Sequence, residues 1–129
     1  MNFKNSNMQG NAGLGAAICH FTGLGIPVCV PLTDSQDYDL IIDLNDDLKR
    51  VQVKTVSHKP KNRNRFAVNL KVSGGNKSGQ KIKKFDPTLV DYLFVLTDDN
   101  NWYLIPSTKI KARCQLVLGN KYKQYKIGR

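Results

Sequence analysis

The sequence predicts an α/β (α+β) fold in which one N-terminal helix precedes a series of β-strands. Three observations carry this. Apolar residues recur at three- and four-residue steps near the N-terminus, they gather in short β-rich runs from residue 26 onward, and those runs pair around short polar turns. A length of 129 residues fits one domain, and 40% hydrophobic content suffices for a core without disulfides.

Taken in order, residues 1–10 are polar and read as a frayed end. From Asn11 to about Thr22, the residues Leu14, Ala17, Ile18 and Phe21 mark one buried helical face, with Asn11 as N-cap and Gly23 and Gly25 at the end. Gly13 and Gly15 lower the propensity of this helix, so tertiary packing must hold it. IPVCVPL (26–32) is a short strand that Pro31 terminates. DYDLIIDL (37–44) and KRVQVKTV (49–56) flank NDD (45–47) and read as an antiparallel hairpin, with Asp46 and Asp47 as turn residues. In its second strand, Val51, Val53 and Thr55 point one way and Gln52, Lys54 and Val56 the other. SHKPKNRN (57–64) is a basic loop, RFAVNLKV (65–72) a further strand, and SGGNKSGQKIKK (73–84) a loop too polar for a core. DYLFVLTD (91–98) and NWYLIPS (101–107) make a second hairpin around Asp99 and Asn100. A helical turn at STKIKA and a tail with QLVL, then alternating Lys and Tyr, complete the chain.

The formal charge is +10, from 20 Lys or Arg against 10 acids, all of them Asp. Residues 1–47 hold one basic residue and six acids, whereas residues 48–129 hold 19 basic residues and four acids. Residues 48–85 carry twelve basic residues and no acid. Such a field calls for an anionic partner, nucleic acid foremost. An RNA-binding reading rests on charge alone. A membrane surface is excluded by the lack of a basic amphipathic helix, and no apolar run approaches the roughly 20 residues of a membrane span. The N-terminus also lacks the apolar core of a signal peptide. Cys19, Cys29 and Cys114 have no CxxC spacing, and with only His20 and His58 they make no zinc site. They read as small buried hydrophobes of a reducing, cytoplasmic protein, and His20 as a packed helix residue.

An acidic cluster beside so positive a field points to a divalent cation. Asp39 stands at the start of the first strand of the hairpin, and antiparallel pairing brings it near Gln52 and Lys54 on the second. Carboxylate and amide oxygens hold a hard cation, the Val53 carbonyl can join them, and an ammonium orients water and stabilises charge on a reacting phosphate. The plain alternative is a turn carboxylate beside a solvated strand lysine.

Five segments sharpen that choice: QGNAGLGAAI (9–18), VCVPL (28–32), YDLII (38–42), VQVKT (51–55) and YLIP (103–106). In this order, over about residues 9–107, the chain resembles the PD-(D/E)XK nuclease superfamily, and more closely its branch of group I intron-encoded homing endonucleases of cyanobacterial type. The resemblance implies a restriction-endonuclease-like core, a mixed β-sheet with the N-terminal helix packed on it. One domain would span 1–129, with a core at about 9–107 and a basic extension at 108–129. It further implies a Mg²⁺-dependent endonuclease, with Mn²⁺ as a substitute cation, in which Asp39 is the central metal ligand, Gln52 and Val53 further ligands, and Lys54 the catalytic lysine. Gln commonly replaces the expected acid in this branch. The family usually carries a Glu on the first helix, and counting back places that position at Leu14, which cannot bind metal. Asn11 is the nearest polar residue on the helix, and Asp37 is expected to share a strand face with Asp39.

The partner implied is double-stranded DNA. Lys59, Lys61, Arg63 and Arg65 recur every second residue, and Lys81, Lys83 and Lys84 follow in the second basic loop; both rows are candidate DNA contacts. His58 is a candidate phosphate contact. Cutting two strands with one site per chain calls for a homodimer or homotetramer. Two other readings share the skeleton: a catalytically weakened or inactive DNA-binding protein, and a Holliday-junction resolvase-like nuclease.

Overall fold

An 18-residue helix, α1 (Ser6–Gly23), opens the computed structural model, which describes residues 4–61, 64–74 and 81–128, with the backbone alone at 72–74 and 81–82. It begins five residues before the predicted start. Its cap is Asn5 rather than Asn11: the Asn5 Oδ1 accepts the Met8 N–H at 2.9 Å. The first turn is polar, so no apolar periodicity announces it. At the other end, the Leu24 N–H reaches the His20 and Phe21 carbonyls, and Gly25 takes the left-handed turn at φ 75°.

Six strands form the main sheet: β1 (Val28–Cys29), β2 (Leu40–Leu44), β3 (Asp47–Val56), β7 (Tyr92–Thr97), β8 (Trp102–Pro106) and β10 (Lys126–Gly128), in the order β1-β2-β3-β7-β8-β10. Neighbours are antiparallel except β3 and β7, which are parallel, so the sheet is mixed. The first hairpin turns on two residues, Asn45 and Asp46, both at positive φ. This is the turn whose twist matches that of the strands, and Asn and Asp tolerate it. Asp47 belongs to the strand, pairing with Leu44 and bridging Lys49 at 2.9 Å. The parallel pair is pinned at its start by Asp91, whose Oδ2 accepts the Arg50 N–H at 2.8 Å while its own N–H donates to the Arg50 carbonyl.

Both faces of β3 and β7 are covered. On one face, Ala17 and Phe21 of α1 pack on Leu40, Ile42, Val51 and Phe94. On the other, Val56, Leu93, Val95 and Ile105 form a second cluster with Phe66, Val68, Leu70, Phe85, Val90, Leu116 and Tyr122. Parallel strands need a long crossover, and here it supplies that second cover. Predicted strand 65–72 is split into β4 (Ala67–Asn69) and β5 (Val72–Gly74). The break lies at Asn69, whose side chain accepts the Lys71 N–H two residues on, a local bond that competes with the strand ladder. Beyond it, the expected loop 73–84 contains a two-stranded ribbon, β5 with β6 (Lys81–Lys83), in which Val72 pairs with Lys83. The tail returns as β9 (Gln115–Val117) beside β4, a six-residue 3-10 segment (Asn120–Tyr125), and β10 on the edge of the main sheet.

Cys19 and Cys29 are exposed and Cys114 is half-buried, against the expectation that all three are core residues. Cys19 faces away from the Ala17–Phe21 stripe, and Cys29 sits on an edge strand. His20 is packed as expected, with its ring near those of Phe21, Phe94 and Trp102, and burial lowers its pKa. No helix among the described residues is long and apolar enough to cross a membrane.

Candidate active site

The site arises where β2 begins. Strand β3 continues past the Leu40–Val51 pair to Val56 with no further β2 residue beside it. Odd-numbered β3 residues turn their backbone groups toward this open edge, since the even-numbered ones face β7. Three groups occupy it in turn. The Asp39 N–H donates to the Val51 carbonyl at 2.8 Å, the Val53 N–H donates to Asp39 Oδ2 at 2.7 Å, and Gln9 Nε2 of α1 donates to the Thr55 carbonyl at 3.0 Å. The Val53 carbonyl points to the same edge as its N–H, between the Asp39 carboxylate and the Gln9 amide.

Lys54 is half-buried on the opposite side chain register from Val53 and couples electrostatically to Asp39. Desolvation pushes the Asp39 carboxyl above its ordinary value, while the Val53 N–H and the Lys54 charge pull it down. Asp39 remains exposed to solvent, and the protein packed around it sets the direction. Desolvation likewise lowers the Lys54 pKa, with the Asp39 charge opposing it. The structure therefore brings Asp39, Val53 and Lys54 together. Gln52 shares the Lys54 face but is buried, 8% exposed, in a shallow pocket with Asp37, Lys83 and Lys84.

On the helix the site residue is Gln9, which the sequence reading passed over. It lines one cleft with Lys54, whereas Leu14 packs against the apolar cluster beneath α1 and Asn11 is exposed. The signal was present: stepping back by four from Phe21 and Ala17 gives Gly13 and then Gln9. Gly13 is the point of closest approach, because a Cβ there would overlap Thr55 Oγ1 and lie 3.2 Å from Val53 Cγ1. That hydroxyl is buried with no partner among the described residues. Asp37 precedes β2 and faces the Gln52 pocket instead of sharing a strand face with Asp39.

The basic positions fall into two groups. Lys59, Lys61 and Arg65 are exposed; the chain turns at Lys61 and bends at Asn64 and Arg65. The Lys59 ammonium lies 4.6 Å above the Phe66 ring, and Arg65 leans over Gly119. Lys83 and Lys84 are exposed beside Gln52. Arg63 lies outside the described residues, and of Lys81 only the backbone is described. His58 is exposed on the rim of the Lys54 cleft.

The donor set suits a hard cation that keeps water in its shell: a carboxylate, a backbone carbonyl and the amide of Gln9 or Gln52. It holds one negative charge, and no group of three or more His, Cys, Asp or Glu residues is arranged for a metal ion among the described residues.

No curated protein matches the chain. Among solved structures, the chain is similar to a bacterial homing endonuclease, I-Ssp6803I, with a TM-score of 0.74 and 21% identity over 95% of this chain and 88% of that one. This likeness establishes the fold, a restriction-endonuclease-like α+β core. Residues 4–127 match the PD-(D/E)XK endonuclease family, and the chain, which sets Asp39 beside Val53 and Lys54 at the start of β2, belongs to that family of nucleases.

Proposed function

We propose that this protein is an endonuclease of one domain, residues 1–129, that hydrolyses phosphodiester bonds in double-stranded DNA with a divalent cation, Mg²⁺ or in its place Mn²⁺. The observation that carries the reading is the Asp39 carboxylate, held at the open edge of β3 by the Val53 N–H and coupled to Lys54. Asp39, the Val53 carbonyl and Gln52 would hold the cation, which when bound polarises the phosphate and favours attack by water. Lys54 keeps its proton, orients the water and stabilises charge on the phosphate oxygens. Gln9 ties α1 to the same edge. Lys59, Lys61, Arg63, Arg65, Lys81, Lys83 and Lys84 grip the duplex backbone, and two chains, as a homodimer or homotetramer, address the two strands.

The test is cleavage of supercoiled plasmid, linear duplex and four-way junction DNA in Mg²⁺ and in Mn²⁺. Asp39→Ala and Lys54→Ala are expected to abolish cleavage while a mobility-shift assay still shows binding; cleavage at the wild-type rate by either variant refutes the reading. The single charge of the donor set supports a second reading, a DNA-binding protein whose site is weakened. It predicts salt-sensitive binding with no cleavage in either metal, and recovery of cleavage in Gln9→Glu, which adds a carboxylate where α1 meets the edge of β3.

A further inference from the structure

The cleft beside Lys54 extends well beyond the Asp39–Lys54 pair. Its volume is about 660 Å³, and it runs from Gln9 and Lys54 past His58 to β4 and β9. No carboxylate lines it among the described residues. Its far wall is the small β4–β9 sheet, in which Asn69 and Gln115 stand directly opposite each other. Both are exposed, while their strand neighbours Val68 and Leu116 are buried in the core. Alternation therefore sets the two amides side by side on the outward face.

The two side chains are prepared differently. Asn69 Oδ1 accepts the Lys71 N–H at 3.0 Å, which fixes its amide and leaves the Nδ2 group to point elsewhere. Gln115 makes no side-chain hydrogen bond among the described residues. An amide offers a donor and an acceptor in one plane, which is the complement of the adenine edge in the major groove. Cations position a duplex through its phosphates, whereas paired amides carry sequence information. Here Lys54 and Lys71 line the same cleft as the amides, so both kinds of contact share one cleft.

We infer that the Asn69–Gln115 pair reads a base edge of the bound duplex, adenine by preference, next to the phosphate that Lys54 faces. The location of that phosphate rests on the nuclease reading; recognition by the amide pair does not. Selection of bound duplexes from a randomised pool without divalent cation tests recognition apart from cleavage. Wild type is expected to enrich adenine at one position by about tenfold. Asn69→Ala should lose that preference, and Gln115→Glu and Gln115→Arg should move it to cytosine and to guanine. A merely structural role would weaken binding to every sequence alike. A pool without base preference in the wild type, or a preference unchanged in all three variants, overturns the inference. An adenine preference that the variants shift, in a protein that cuts nothing, supports the inference and refutes the nuclease reading alone.

Discussion

Asp39 and Lys54 are placed where neither charge is at ease, and that has a consequence for pH. Desolvation raises the Asp39 pKa and lowers that of Lys54, each resisted by the charge of the other. Catalysis as proposed needs Asp39 ionised, which a bound cation favours, and Lys54 protonated, so the rate should fall at alkaline pH through an ammonium pKa below the usual one. The alkaline limb of the kcat/KM profile therefore moves inward. Lys54→Arg, which holds its proton throughout, should lose the alkaline limb; a profile for this variant with that limb intact refutes the role of Lys54. The same two shifts bear on stability. A raised carboxyl pKa favours the folded state only at acidic pH, and its contribution is lost as pH rises through the folded value. A lowered ammonium pKa favours it only at alkaline pH, and its contribution is lost as pH falls through the folded value. Near neutrality the pair therefore costs stability, and the double variant Asp39→Asn, Lys54→Met should unfold at or above the wild-type temperature in thermal denaturation.

Contact between α1 and β3 depends on one residue without a side chain. Gly13→Ala would drive a methyl into Thr55 Oγ1 and Val53, at a cost of about 1–3 kcal/mol, and would displace the strand that carries Lys54. Gly15, two positions on, meets open space, so Gly15→Ala should stabilise the helix by about 0.5–1 kcal/mol. Chemical denaturation of the two variants checks both signs; equal effects would show that the close approach does not limit packing. The same pair of glycines shows what was readable beforehand. The hairpin of β2 and β3 followed from alternation and the short polar stretch NDD, though Asp47 proved to belong to the strand, and it delivered Asp39 to Lys54 because pairing register follows from local sequence. The parallel pairing of β3 with β7 and the start of α1 were not readable. Parallel neighbours join across 35 residues of chain with no local signal, and the polar first turn of α1 hid Gln9, whose role comes from the β3 edge it meets. The break at Asn69 escaped for a similar reason: it is made by one side-chain hydrogen bond inside a run of good strand residues.

Across the molecule, the charge of +10 resolves into an acidic first third that includes Asp39 and a basic remainder that surrounds the Lys54 face. Lys83 ends the β5–β6 ribbon and Lys84 follows it, both beside the Gln52 pocket, and Lys71 lines the Lys54 cleft, so basic side chains border the site on two sides. A duplex laid across this face would meet Lys83 and Lys84 through its phosphates, without regard to base sequence. Replacing both, Lys83→Ala with Lys84→Ala, removes two phosphate contacts. The slope of log Kobs against log salt concentration should then shrink by about two, with affinity falling by a similar factor for every duplex tested. Titrations of an unrelated 30-base-pair duplex at several salt concentrations measure that slope. A slope equal to that of the wild type would place the DNA elsewhere, on the Lys59 to Arg65 segment alone, and would separate the ribbon from the nuclease face.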